Sequence, residues 1–348
     1  MTWRHAIRAA LQRQQSGEDA MELTRRQGLA ALGALAATSL AGRAAAAVTP
    51  KLGSKSKTMY WAATVTPCNK AGQFDPGAMA AIMQWHKSCG ADGVVVLGTS
   101  GEFPSFSVAE RKTITETAIK HRNGLNIIVG PGTANIVETT DLARHAEANG
   151  ADGLLVIPPF YFNQPPTEGL TDYYKRLMDV CGLPTNLYHI PGTSEVAITI
   201  ELLQNLSGYA QLAGIKDSSG SVEGYDAFVK AMPALNMRCG TNNNLEVALN
   251  NGMGTILADG NNFSAKCANI FKAYRAGGDW NAEIAKLRAA QKIMREANMG
   301  ANTYAAMKYV LSQEMGGPEM YARTPYPQLT EAQRDSIRAG LARVKALG

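Results

Sequence analysis

The chain has 348 residues, 45% of them hydrophobic, and a formal charge of +5 from 34 Lys and Arg against 29 Asp and Glu. That length suits one barrel of roughly 250 residues with additions, and the apolar share suits a sizeable core. No long run of Lys and Arg is present, which argues against a nucleic-acid surface.

Residues 1–47 read as a removable export segment. Arg25-Arg26 precedes an apolar, small-residue stretch from Leu29 to about Ala41, and an A-x-A tripeptide, Ala45 to Ala47, sits just before Val48. This is the order of a signal peptide: a positive start, a short apolar run and a small-residue cleavage site. The Thr-Arg-Arg-Gln-Gly-Leu run resembles the twin-arginine export motif of bacteria. An amphipathic helix is the plain alternative. The stretch is short and rich in Ala and Gly for a membrane span. Its removal takes away six Arg against Glu18, Asp19 and Glu22, so the formal charge falls from +5 to +2. The expected location is periplasmic, with no membrane contact after cleavage. The five cysteines (Cys68, Cys89, Cys181, Cys239, Cys267) show no C-x-x-C spacing and read as buried small residues.

From Lys57 onward, short apolar runs alternate with helical patterns. The predicted strands are Tyr60–Val65, Gly93–Leu97, Asn126–Val129, Gly153–Ile157, Thr185–Tyr188, Leu212–Ile215, Met237–Cys239 and Thr255–Ala258. They are apolar at nearly every position, as in strands covered on both faces. The spacing predicts helices over Asp75–Ser88, Ser107–Arg122 with a capping box at its start, and Asn135–Asn149 before Gly150. Such alternation indicates an α/β (β/α)₈ TIM barrel over residues 57–278. An open doubly wound sheet is the other option, but no Gly-x-Gly-x-x-Gly follows the first strand. Cys267–Tyr274, Trp280–Ala297, Thr303–Glu314 and Glu331–Ala346 read as helices, and residues 279–348 form a C-terminal helical domain.

Barrel chemistry sits at the C-terminal ends of strands. Those ends read Gly98-Thr99-Ser100-Gly101-Glu102, Pro158 to Asn163, Tyr188-His189-Ile190-Pro191, Lys216-Asp217, Gly240-Thr241-Asn242 and Asp259-Gly260. Lys216 follows the apolar Leu-Ala-Gly-Ile, so its amine points into an enclosed pocket. Enclosure disfavours an ammonium ion, and a neutral amine attacks a carbonyl to give an imine. A lysine at a strand end also has the option of snorkelling to solvent. Tyr188 offers a phenol to shuttle protons, with Thr99 to pass them on, unless it is a core tyrosine with a satisfied hydroxyl. The backbone around Thr99 to Gly101 suits a carboxylate. His189 follows Tyr188, so strand alternation turns it to the outer face. Glu102 caps a loop or the next helix, and Asp217 orients a loop.

Gly98-Thr99-Ser100-Gly101-Glu102, the Pro-Phe-Tyr-Phe-Asn run, Tyr188-x-x-Pro191 and Gly214-Ile215-Lys216-Asp217, with Tyr188 and Lys216 separated by 28 positions, resemble the dihydrodipicolinate synthase and N-acetylneuraminate lyase superfamily over about residues 57–345. The resemblance implies a homotetramer that needs no metal or organic cofactor. It makes Lys216 the Schiff-base lysine and Tyr188 the proton-relay tyrosine, with Thr99 and Ser100 relaying protons and binding the pyruvate carboxylate. Gly101, Thr193, Asn242 and Ile256 join Ser100 as expected substrate-binding positions.

Two departures matter. The family's dihydrodipicolinate-forming members carry an arginine five positions after the tyrosine, where this chain has Thr193, and threonine cannot grip a carboxylate as an arginine fork does. The tyrosine that a neighbouring subunit contributes aligns with Phe162, which carries no proton. The expected activity is therefore a class I aldolase or lyase acting on a hydroxylated 2-keto acid, with pyruvate as the keto component and a small aldehyde as partner. Neutral groups at Thr193, Ser194, Thr241, Asn242 and Asn243 suit sugar hydroxyls. Alternatives are a 2-keto-3-deoxy sugar-acid dehydratase, a dihydrodipicolinate synthase, and a periplasmic keto-acid-binding protein with weakened catalysis, the last favoured by Phe162.

Overall fold

A computed structural model describes residues 60–347, and the export segment expected over residues 1–47 lies outside them. Eight strands form a closed parallel barrel in chain order: β1 Tyr60–Ala63, β2 Gly93–Val96, β3 Asn126–Val129, β4 Gly153–Val156, β5 Thr185–His189, β6 Leu212–Asp217, β7 Asn236–Cys239 and β8 Thr255–Leu257. Closure is made by β8 on β1, with Tyr60 opposite Thr255 and Trp61 opposite Ile256. Every strand residue except Asn126, Ala213 and Asn236 is buried. That is why the strands read as unbroken apolar runs: helices cover the sheet outside and side chains fill it inside.

The barrel helices are α1 Pro76–Ser88, α2 Val108–Lys120, α3 Ile136–Ala148, α4 Thr167–Val180, α5 Pro191–Ser194, α6 Ile200–Leu206, α7 Val222–Ala231, α8 Leu245–Asn250 and α9 Gly260–Arg275. Their starts are chemically marked. Asp75 accepts from the Ala78 N–H at 2.9 Å ahead of Pro76, and Ser107 and Glu110 complete a reciprocal capping box. Below its cap, α1 turns Met79, Ile82 and Met83 onto the barrel, each fully buried.

Helix α9 begins seven residues before the expected Cys267, through Gly260-Asn261-Asn262. Those residues favour loops. Tertiary hydrogen bonds override the preference: the Asn261 amide donates to Ala63 O at 2.7 Å, and its oxygen accepts from Val65 N at 3.1 Å. Phe263 keeps a non-helical backbone there, at φ −144° and ψ 42°.

Three helices follow: α10 Trp280–Ala297, α11 Thr303–Met315 and α12 Glu331–Lys345. Helix α10 packs on α9 and α12, and α11 packs on the same two. Their apolar faces are continuous with the barrel core through Ile284, Leu287 and Ile337, all essentially inaccessible. The chain between α11 and α12 returns over the barrel mouth, where Tyr321 N donates to Cys68 O at 3.0 Å. Among the described residues no helix is long and apolar enough to cross a membrane.

Candidate active site

The register of β5 on β6 sets Tyr188 beside Lys216, and that of β6 on β7 sets Lys216 beside Arg238. Paired residues of parallel strands project to the same face, so Tyr188 and Lys216 share the interior. Both are buried, with 4% and 5% exposure. The Lys216 amine donates to the Tyr188 hydroxyl at 3.1 Å and lies 4.2 Å from that ring's centroid. The Tyr188 and Thr99 hydroxyls are 3.2 Å apart, with either able to donate. Amine, phenol and alcohol thus form one hydrogen-bonded line drawn from β6, β5 and the turn after β2.

Burial alone pushes the Tyr188 phenol up. The charge of Lys216 and the hydrogen bonds from Thr99, Lys216 and Ser218 outweigh burial and bring it below its ordinary value. A phenol so placed exchanges a proton more readily than a free tyrosine. Gly240, just past β7, clears the path of the lysine stem: a Cβ there would stand 3.0 Å from Lys216 Cε and 2.2 Å from Ser218 Oγ.

Thr99 is held from below by an ion pair that sequence reading missed. Residues Thr99–Gly101 form one tight 3₁₀ turn, and Glu102 follows in the left-handed region at φ 51°. The Glu102 carboxylate meets the Lys308 amine, both side chains fully enclosed, and accepts from Arg323 N at 2.9 Å. Glu102 was expected to cap a loop or helix; it instead pins the Thr99–Gly101 turn to α11. The signal was Lys308 itself, one charge within Ala305 to Val310, a helical stretch buried all round. A buried cation needs a buried anion. Ser218, placed by β6, and Tyr304 with Tyr326, from the C-terminal chain, also escaped sequence reading.

A cavity of about 340 Å³ opens on Thr99 and is lined by Thr193, Phe103, Phe160, Tyr304 and Tyr326 among others. Thr193 is the one distal residue of the expected set on its wall. Ser100 is buried inside the turn, and the Gly101 N–H closes that turn onto Gly98 O at 3.0 Å. The Asn242 amide N–H donates to Asp259 at 2.8 Å and its backbone carbonyl accepts from Arg288 at 3.0 Å; its Oδ1 is buried without a hydrogen-bond partner, and the residue does not line this cavity. Ile256 is fully buried in the barrel floor opposite Trp61. Ser194 spends its hydroxyl on Ile190 O and Val196 O. His189 faces outward as alternation requires: it accepts from Ile198 N at 3.0 Å and lies 3.9 Å from Asp217. Asp217 accepts from Ser219 N at 2.8 Å and so orients the loop after β6. Phe162 and Tyr161 stack edge to face, their ring centres 5.2 Å apart, and stand 75% and 85% exposed on this chain.

The sequence profile of the dihydrodipicolinate synthetase family matches residues 57–344. The chain belongs to that family. Among curated dihydrodipicolinate synthetase relatives, it is 36% identical over 264 residues to an uncharacterized DapA-like lyase of Chloroflexus aurantiacus, covering 74% of this chain and 86% of that one. It is 30% identical over 284 residues to the 4-hydroxy-tetrahydrodipicolinate synthase of Bradyrhizobium diazoefficiens, covering 80% and 94%. Among solved family structures, YagE of Escherichia coli K12, crystallised in complex with pyruvate, superposes with a TM-score of 0.77 at 26% identity, covering 83% of this chain and 99% of that one. Membership of the dihydrodipicolinate synthetase family makes this protein a carbon–carbon lyase of the class I aldolase type.

Proposed function

We propose that this enzyme joins pyruvate to an aldehyde, or cleaves the resulting hydroxylated 2-keto acid, through an imine on Lys216. The carrying observation is the buried Lys216 amine at 3.1 Å from the Tyr188 hydroxyl, itself 3.2 Å from Thr99. The amine adds to the keto carbon, and Tyr188 delivers a proton to the departing oxygen as water is lost. The imine withdraws electrons, so a proton leaves C3 to give an enamine. That carbon then attacks the aldehyde, and the new alkoxide takes a proton back through Tyr188 and Thr99. The Ser100 hydroxyl and the turn after β2 hold the keto-acid carboxylate. Enclosure strengthens each of these interactions by excluding water.

Incubation with pyruvate and borohydride tests the reading. A single reduced adduct on Lys216, seen by peptide mass spectrometry and lost in Lys216→Arg, is the expected outcome; an unmodified Lys216 refutes it. We further propose a periplasmic homotetramer. Light scattering of the purified chain and fractionation of expressing cells check those two points.

A further inference from the structure

The cavity beyond Thr99 has a distinctive wall. Four of its lining residues are aromatic: Phe103, Phe160, Tyr304 and Tyr326. They form two pairs, Phe103 with Phe160 edge to face at 5.8 Å and Tyr304 with Tyr326 tilted at 4.4 Å between ring centres. The polar groups on the wall are neutral hydroxyls such as Thr99 and Thr193, apart from Glu102. Glu102 is already committed to Lys308 and Arg323 N. Burial first, then the neighbouring Tyr326 phenol, pushes the Tyr304 phenol up, so it stays a neutral donor. No Lys, Arg or His stands among the described lining residues.

A substrate part that enters here meets four aromatic rings and the hydroxyls of Thr99, Ser105, Thr193, Thr324, Tyr304 and Tyr326, with no cation to receive a second carboxylate or a phosphate. Leaving such an anion unpaired in an enclosed site costs several kcal/mol, whereas a flat apolar group gains area burial and ring contacts. A chain of sugar hydroxyls can meet the hydroxyls on this wall but gains nothing from its four rings, and the Ser194 hydroxyl and Asn242 amide N–H that sequence reading offered it are engaged elsewhere.

On the reading that Lys216 forms the pyruvate imine, we propose that the aldehyde partner is neutral and aromatic, its ring held between the Phe103–Phe160 and Tyr304–Tyr326 pairs. The enamine C3 bonds to the aldehyde carbon, whose oxygen takes a proton. Hydrolysis of the imine returns the water released when it formed, so pyruvate and an aryl aldehyde give a 4-aryl-4-hydroxy-2-oxobutanoate with every atom retained. The reverse breaks the C3–C4 bond and frees both parts. Phe160 and Tyr304 act as specificity-determining residues.

The test runs the full chain with pyruvate against benzaldehyde, glyceraldehyde and succinic semialdehyde, alongside the borohydride trap. Benzaldehyde is expected to lead each of the others by about tenfold or more in kcat/KM, the discrimination a hydrophobic pocket supplies. Phe160→Ala and Tyr304→Ala are each expected to narrow that lead by about tenfold. Two variants on separate elements guard against one failing to fold. A trapped Lys216 adduct with glyceraldehyde or succinic semialdehyde preferred overturns the aromatic assignment and leaves the imine intact. No trapped adduct overturns both.

Discussion

Replacing Gly240 with alanine tests whether the placement of the amine limits the reaction. The added Cβ would lie 2.2 Å from Ser218 Oγ, 2.7 Å from Asp217 O and 3.0 Å from Lys216 Cε. Carbon atoms rest at about 3.5–4.0 Å, so the lysine stem must move by roughly 0.5–1 Å or β6 must shift with it. Overpacking of this kind costs about 1–3 kcal/mol of stability. A misplacement near 1 Å at the reacting atom costs roughly 10²-fold in rate. Gly93→Ala is the matched control: its Cβ would meet Trp61 Cε3 at 2.6 Å, at the start of β2 and away from the C-terminal strand ends. The measurements are urea unfolding and single-turnover imine formation with pyruvate, followed by borohydride trapping. Both variants should lose comparable stability, and only Gly240→Ala should form the imine about a hundredfold more slowly. A folded Gly240→Ala protein that traps pyruvate at the wild-type rate would show that Lys216 has slack, and the argument from its tight path would fail.

Tyr188→Phe removes the relay hydroxyl and should lower kcat by about 10²–10⁴-fold. Because the free enzyme's phenol is held below its ordinary value and must be protonated to donate, wild-type kcat/KM should fall with rising pH before the range of a free tyrosine, a limb that Tyr188→Phe lacks. Lys308→Met strands the enclosed Glu102 carboxylate and should cost about 3–5 kcal/mol in urea unfolding. Adding Glu102→Gln should restore much of that loss, and an equally unstable double variant would discount the pair. Burial lowers the His86 imidazole to about 4 from 6.5, with Thr64 at 3.1 Å and Ser264 at 3.4 Å serving the neutral ring. The unfolded chain binds that proton first, so stability should fall by about 3 kcal/mol as pH drops from 6.5 towards 4. His86→Gln should flatten this dependence, and parallel wild-type and variant profiles would count against it.

Strand and helix placement was legible because it is a local matter. The runs from Tyr60 to Thr255 are apolar at most positions, and caps such as Ser107 with Glu110 announce helix starts within four residues. The line of Lys216, Tyr188 and Thr99 was also readable: barrel topology sends strand ends to one mouth, and the parity of β5 and β6 decides which side chains face inward. What lies across the mouth was not readable, since it depends on contacts between residues some 200 positions apart. Arg323 N reaches Glu102 only because the chain after α11 folds back over the barrel. The same return brings Tyr304 and Tyr326 to the cavity that Thr99 borders. The Asn242 amide N–H and the Ser194 hydroxyl looked free in the linear string and are taken by Asp259 and by nearby carbonyls. Sequence alone thus determined the barrel and the inward placement of Lys216 beside Tyr188, through periodicity and strand parity. Tertiary structure decided the character of the cavity beside Thr99, because a wall assembled from distant segments takes its chemistry from whichever side chains remain unpaired once those segments have packed.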